Sequence, residues 1–295
     1  MPMTQDQAAR IITSAIRRYI AEKSYARMIK KGAIWNKDDP RSSDWQAELS
    51  MKKKLAAIRS ISQKNIHNLI SNLEMLTPPE LTLVTNIKHA KFFATHTTNT
   101  PRTNKGGGIS LYSRQKLLDR GVIFNTKNSP VEDIALLGND DFVFFSLEVG
   151  ETPKKGGSAF GDLTYRFNLH ETIFMEVGWL SLVEMRFART PDLSRHIHDL
   201  SAEDYTLLKK RELSPLSTVF FGQDMINGIA LSLILDLRKL SPTGQTRLLA
   251  MAGESSLNSL INGIYRPELK VPRHYFSSAA NAEPHKIVIQ PRSKL

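Results

Sequence analysis

The sequence predicts an α+β protein, a helical N-terminal region followed by a mixed sheet domain. Three observations carry this. Apolar residues recur at helical spacing through the first 76 residues. Runs of β-branched and aromatic residues begin only after residue 90. With 295 residues, 41% of them hydrophobic, the chain can bury a substantial core. The boundary falls at residue 80, giving a helical region over 1–80 and a sheet-bearing domain over 81–295.

The first helix is predicted over Ala8 to Met28. Thr4 and Gln7 form a capping box at its start and Gly32 is a natural stop. Ile12, Ile16, Tyr19, Ile20 and Met28 fall on one face. Ile12, Thr13 and Arg17 reproduce the apolar, hydrogen-bonding and basic spacing of an IQ-type helix, with Thr in place of the usual Gln, and Tyr19, Lys23 and Tyr25 extend the match. Calmodulin takes such helices because its acidic, Met-rich grooves accept apolar anchors flanked by basic residues. An ordinary amphipathic packing helix with a basic outer face fits the same pattern, and the pattern alone leaves both open.

A second helix is predicted from Ser43 to about Leu76, with a break at Ser62 and a close at Pro78 and Pro79. Its Lys52-Lys53-Lys54 run reads as a solvated face or a nucleic-acid contact. A strand over Lys91–Thr98 leads into a loop with Pro101 and Gly106–Gly108, then a short helix over Ser113–Arg120. Asp141–Val149 is the clearest strand; Pro153–Gly157 is a turn and Leu163–Phe167 returns as a strand. Ser201 with Asp204 caps a helix to about Leu213, Met225–Leu240 reads as an apolar buried helix, and Leu248–Ile264 is helical with Gly253 interrupting it. The ankyrin-like segment Thr243–Ala250 occurs once, and one copy cannot make a stable array.

Net charge of +11 raises three classes of acidic partner: nucleic acid, an anionic membrane or an acidic protein. Zero cysteines exclude disulfides, Cys-ligated zinc and thiol nucleophiles. There is no HExxH pair, and His196 and His198 are two apart, so no metal is expected. The best apolar run, Ile229–Leu235, is too short to span a membrane, and the N-terminus lacks the basic start of a cleavable signal, so a soluble protein is expected. Lys105–Gly108 has neither GxGxxG nor Walker spacing and reads as a loop tip. Two strands with buried aromatics, a distant acid and His96-Thr97-Thr98 at a strand end would suit a cleft gripping a nicotinamide and its ribose.

Several segments, in common order, resemble the Shigella OspC family of type III secretion effectors. They are Ile11–Ser14 with Ser24–Met28, then Asn139–Glu148, Phe160-Gly161 and Arg266–Arg273. The resemblance implies a calmodulin-activated, NAD-dependent enzyme with an ADP-ribosyltransferase-like core. Its best-studied members attach ADP-ribose to arginine in host caspases and then eliminate ammonia to close a ring, an ADP-riboxanation. It also implies delivery by a bacterium into the host cytosol.

By position, the resemblance places His96, Thr97 and Thr98 on the NAD ribose and amide, Phe144 and Phe160 against nicotinamide, and Leu111 in the same cleft. Glu268 resembles the catalytic glutamate, whose carboxylate would stabilise positive charge on the ribose and orient or deprotonate the nucleophile. Glu148 resembles another functional acid or is a structural partner, and a contributing Asp aligns near Glu184. The calmodulin surface would be Ile12, Ile16, Arg17, Tyr19, Ile20 and Tyr25.

Two departures bear on the chemistry, Lys270 in place of a His and Glu184 near the place of an Asp, and a third is architectural. Lys270 stands where the family has a His, and a lysine is a poor substitute for a titrating histidine, which puts the ring-closing step in question. Characterised relatives continue into ankyrin repeats that bind the caspase, whereas this sequence stops soon after Arg273. Substrate recognition is then expected elsewhere, with ubiquitin threonine, which some ankyrin-free effectors target, and simple ADP-ribosylation as competitors. The rival from another class is a non-catalytic basic module that binds calmodulin or nucleic acid; a third reading is a pure calmodulin sequestrant.

Overall fold

The computed structural model describes residues 3–31, 54–98, 108–123, 134, 138–153, 161, 163–183, 197–198, 200–211, 213, 216–277 and 288–289. Among them the chain runs α1 (Gln5–Lys31), α2 (Lys54–Leu73), α3 (Pro78–His89), β1 (Phe92–Thr98), β2 (Ile109–Tyr112), α4 (Arg114–Asp119) and β3 (Phe142–Val149). Next come β4 (Leu163–Asn168), α5 (Thr172–Val177), β5 (Trp179–Ser181), α6 (Ala202–Lys210), β6 (Val219–Phe221) and α7 (Asp224–Leu237). The last elements are α8 (Pro242–Leu249), α9 (Glu254–Ile264), β7 (Glu268–Pro272), β8 (His274–Ser277) and β9 (Val288–Ile289). Helices lead and strands follow, the α+β order expected. The predicted helix before Lys54, the Gly32 stop, Lys52-Lys53, Pro101, the glycines 106 and 107 and the turn over 154–157 lie outside the described residues.

The expected capping box opens α1. Thr4 N donates to Gln7 Oε1 at 3.0 Å and Gln7 N donates to Thr4 Oγ1 at 3.2 Å. Ser62, however, does not break α2. Its buried hydroxyl donates to Asp224 Oδ2 at 2.7 Å and accepts from Phe221 N at 2.8 Å, so tertiary partners engage it and it need not compete with the helix backbone. Pro78 and Pro79 do not simply close the region either; they occupy the first turn of α3, where a missing N–H costs nothing. Thr77 N donates to Glu80 Oε2 at 2.8 Å there. The helix predicted to Leu213 ends at Lys210, because Arg211 turns extended and donates Nη1 to Asp236 Oδ2 at 2.7 Å.

Seven strands form one sheet in the order β6-β5-β7-β3-β1-β4-β9, and β2 pairs with β8 in a second. Every described ladder is antiparallel. Strand alternation gives the large sheet two different faces. One is covered by the small sheet: Phe145 packs edge-on against Phe167, Phe174 and Tyr275 with ring centroids 6.0, 5.3 and 5.3 Å apart. The other carries Thr95, Ser146, Glu148, Arg166, Glu268 and Lys270. Helices before residue 80 and strands after it contribute to one buried apolar cluster.

The C-terminal half of α1 is tied into this core. Tyr25 donates its hydroxyl to Val177 O at 2.7 Å, and Arg27 donates Nε and Nη2 to Asp140 at 3.0 and 2.5 Å. Asp141 accepts from Ser24 Oγ at 2.8 Å, from Ser113 Oγ at 2.9 Å and from Arg273 Nη1 at 3.2 Å. Arg273, at φ +61, follows the end of β7, so one buried carboxylate links α1 to the turn after Glu268's strand. Among the described residues no helix is long and apolar enough to cross a membrane.

Candidate active site

The site is built where two strands stop pairing. β1 and β3 are in register from Phe92↔Val149 to Thr95↔Ser146. Beyond that point β1 continues to Thr98 against β4, while β3 runs from Phe142 against β7. His96–Thr98 and Phe144 therefore border an unpaired fork. Glu268 sits at its base, opposite Ser146 on one side and Ser181 on the other. His96 reaches across the fork, with Nδ1 2.8 Å from Phe144 O. A carbonyl only accepts, so Nδ1 is the nitrogen that carries the proton.

Alternation separates the His-Thr-Thr trio. Thr97 follows Thr95 onto the face of Ser146 and Glu268, whereas His96 and Thr98 turn toward the face of Phe145. His96 indeed lies 5.7 Å from the Phe145 ring. Phe144 is half-buried on the Glu268 face, directly opposite Lys270. Leu111 is buried in the two-stranded sheet opposite Tyr275. Phe160 and Glu184 lie outside the described residues.

Glu268 is an ion-paired carboxylate, its Oε2 2.5 Å from Lys270 Nζ. The glutamate side chain keeps 25% of its surface open, while the lysine has none. Lys270 also donates to the buried Ser181 Oγ at 3.1 Å. Its Nζ lies over the rings of Trp179 and Phe144, 4.5 and 5.4 Å from their centroids.

Glu148 is placed very differently. It is 1% exposed, with Oε2 accepting from Arg166 Nε at 2.6 Å. Arg166 gives Nη1 to Glu151 O at 2.8 Å and Nη2 to Gly150 O at 2.7 Å, and stacks 4.0 Å from the Phe93 centroid. This is the geometry of a strut that ties β3, β4 and the turn after β3. Opposite Thr97, Thr164 Oγ1 is buried with no hydrogen-bond partner among the described residues.

On α1 the structure gathers some of the proposed anchors and parts them from another. Ile12, Ile16 and Tyr19 form one exposed stripe at i, i+4 and i+7, with Ile11 exposed beside them and Ile20 half-buried. Arg17 turns away to Glu176, 3.6 Å distant. Tyr25 is in the core.

Sequence reasoning missed Arg166, Ser181, Trp179 and Thr164. The alternation of Leu163–Phe167 sets Arg166 on the polar side of the strand and gives no sign of its burial, and the three-residue strand holding Trp179 and Ser181 carries no period of its own.

No family model matches the chain. It is 24% identical over 284 residues to arginine ADP-riboxanase OspC1 of Shigella flexneri, an overlap of 90% of this chain and 59% of that protein. Arginine ADP-riboxanase OspC4 of the same organism is 24% identical over 272 residues, 88% of this chain and 63% of that protein. Arginine ADP-riboxanase OspC3 is 25% identical over 144 residues, 49% of this chain and 29% of its own length. The chain thus spans about three-fifths of the two relatives it matches most fully. The likeness to the OspC family, stated above from scattered segments, extends over most of the chain at low identity.

Proposed function

We propose that this chain uses NAD to transfer ADP-ribose to a side chain of a host protein, arginine foremost, and that calmodulin activates it. One observation supports the reading most: Glu268 stands partly open at the base of the β1–β3 fork, in a chain similar to arginine ADP-riboxanases along nine-tenths of its length.

The fork suits NAD on its own chemistry. Phe144 offers a half-buried ring for the flat nicotinamide. Thr97, half-buried at the fork, offers a hydroxyl for a sugar hydroxyl or amide. NAD supplies the ADP-ribosyl group. An arginine nitrogen would bond to the ribose carbon as neutral nicotinamide departs, and Glu268 would stabilise the positive charge on the sugar and take the proton that the nitrogen sheds.

Two products follow from the same first step. In riboxanation ammonia then leaves and a ring closes. Simple ADP-ribosylation stops earlier, and Lys270 favours it, since its ammonium is already engaged by Glu268 and Ser181. The exposed stripe of Ile12, Ile16 and Tyr19, with Arg10, Arg18 and Lys23 on the same helix, is the calmodulin surface in this reading. Delivery by a bacterium into the host cytosol completes it, with caspases or ubiquitin among the substrates.

The test is intact-mass analysis of eukaryotic lysate proteins incubated with the chain and NAD, with and without calmodulin. A calmodulin-stimulated gain of about 541 Da is expected for one added ADP-ribosyl group, and a gain about 17 Da smaller for riboxanation. Calmodulin binding with no mass gain contradicts the enzyme reading and leaves a binding protein. Steeply salt-dependent nucleic-acid binding would favour the basic-module rival.

A further inference from the structure

Lys270 is the one lysine buried among the described residues, on a strand whose neighbouring positions, Leu269 and Val271, are apolar. Burying an ammonium is costly, and apolar residues of similar volume often stabilise a fold as well or better than a buried ion pair. Stability therefore gives no reason for a lysine at this position. Its surroundings give another. Trp179 and Phe144 wall the ammonium, and Ser181 accepts one hydrogen bond from it. Its remaining reach is to Glu268 Oε2, at 2.5 Å.

We propose that Lys270 is a positioning residue: held rigidly from below by Trp179, Phe144 and Ser181, it pins Glu268 Oε2 so that Oε1 is presented into the β1–β3 fork. The proposal rests on the transferase reading and deepens it. Glu268 meets Lys270 through Oε2, and a quarter of its side chain stays open. A carboxylate with free χ angles would spread over several rotamers, whereas a pinned one spends its time in a single orientation. Lysine suits this task because its charge sits on a compact head at the end of an apolar stem, and Trp179 and Phe144 wall that head. Ser181 is the second part of the device, since it faces Glu268 across the β5–β7 ladder while holding the lysine.

The experiment measures initial rates of radiolabel incorporation from labelled NAD into eukaryotic lysate protein, with calmodulin present, for wild type, Lys270→Met and Ser181→Ala. Melting temperature is recorded for each. Methionine keeps the volume and the apolar stem without the charge. Lys270→Met is expected to lower kcat about 100-fold with KM for NAD within about twofold, the pattern of a misplaced reacting group. Ser181→Ala is expected to lower kcat about 10-fold, as loss of a supporting hydrogen bond does. Unchanged kcat in Lys270→Met overturns the proposal, as does a fall in kcat matched by a raised KM and a lowered melting temperature, which marks a structural role. If Lys270→Met does not fold, Ser181→Ala decides: lowered kcat at constant KM supports pinning and unchanged kcat overturns it. No incorporation by the wild type overturns the transferase reading, and the pinning with it, which keeps that failure distinct.

Discussion

Two glutamates on one face of the sheet make opposite use of an ion pair. Glu148 is sealed at 1% exposure against Arg166, itself 8% exposed, and two further donors of the arginine go to the Gly150 and Glu151 carbonyls. Glu268 is a quarter open, and its partner Lys270 is the sealed member. The base is buried in both pairs. Where the acid is buried with it, the pair braces the fold; where the acid stays partly open, it is presented. Exposure of the glutamate, more than the presence of an ion pair, separates the two roles.

The comparison breaks most sharply at Glu148. Glu148→Gln leaves a buried guanidinium without its counter-charge, so a loss of about 3–5 kcal/mol is expected in denaturant unfolding. Glu268→Gln is expected to lower label incorporation from NAD about 10²–10³-fold, and, since it leaves the buried Lys270 ammonium without its counter-charge, to lower the melting temperature as well. A Glu268→Gln variant as active as the wild type, or a Glu148→Gln variant that is stable but inactive, would reverse the assignment of roles.

A similar contrast divides α1. Its C-terminal half is fastened through Ser24, Tyr25 and Arg27, whereas Ile12 and Ile16 of the N-terminal half are exposed. The double substitution Ile12→Asp with Ile16→Asp should weaken calmodulin binding by about 2 kcal/mol, the loss of two apolar anchors. Calorimetric titration measures this, and the melting temperature should not move.

The smallest effect concerns Glu80. Arg238 beside it, with the burial opposed, holds its carboxyl down at about 2. A folded-state value below the unfolded one contributes stability that is present above the unfolded value and lost as pH falls toward the folded one. The melting-temperature gap between wild type and Glu80→Gln should therefore narrow from about pH 5 to about pH 2.

Much of the fold was legible where local chemistry repeats. The Thr4–Gln7 capping box, the Ser201 cap and the aromatic and β-branched run of Phe142–Val149 each carry a signal within a few residues. Ser62 and Pro78-Pro79 misled for a common reason: a residue that commonly interrupts helices can also be satisfied by a distant partner or start the next helix. The strands Trp179–Ser181 and Val219–Phe221 are too short to show a period and are held by their neighbours in the sheet. Of the site, Glu268 was legible only through the family resemblance. The partners that tell its role from that of Glu148, Lys270 and Arg166, belong to pairings that only the folded sheet reveals.

The most direct test of the account measures nicotinamide release from NAD, with calmodulin and eukaryotic lysate present, for wild type and Glu268→Gln, together with both melting temperatures. The account predicts release by the wild type and near-complete loss in the variant at a temperature where both proteins remain folded. Equal release by the two proteins would contradict the catalytic assignment of Glu268, and no release by either would contradict NAD-dependent transfer itself.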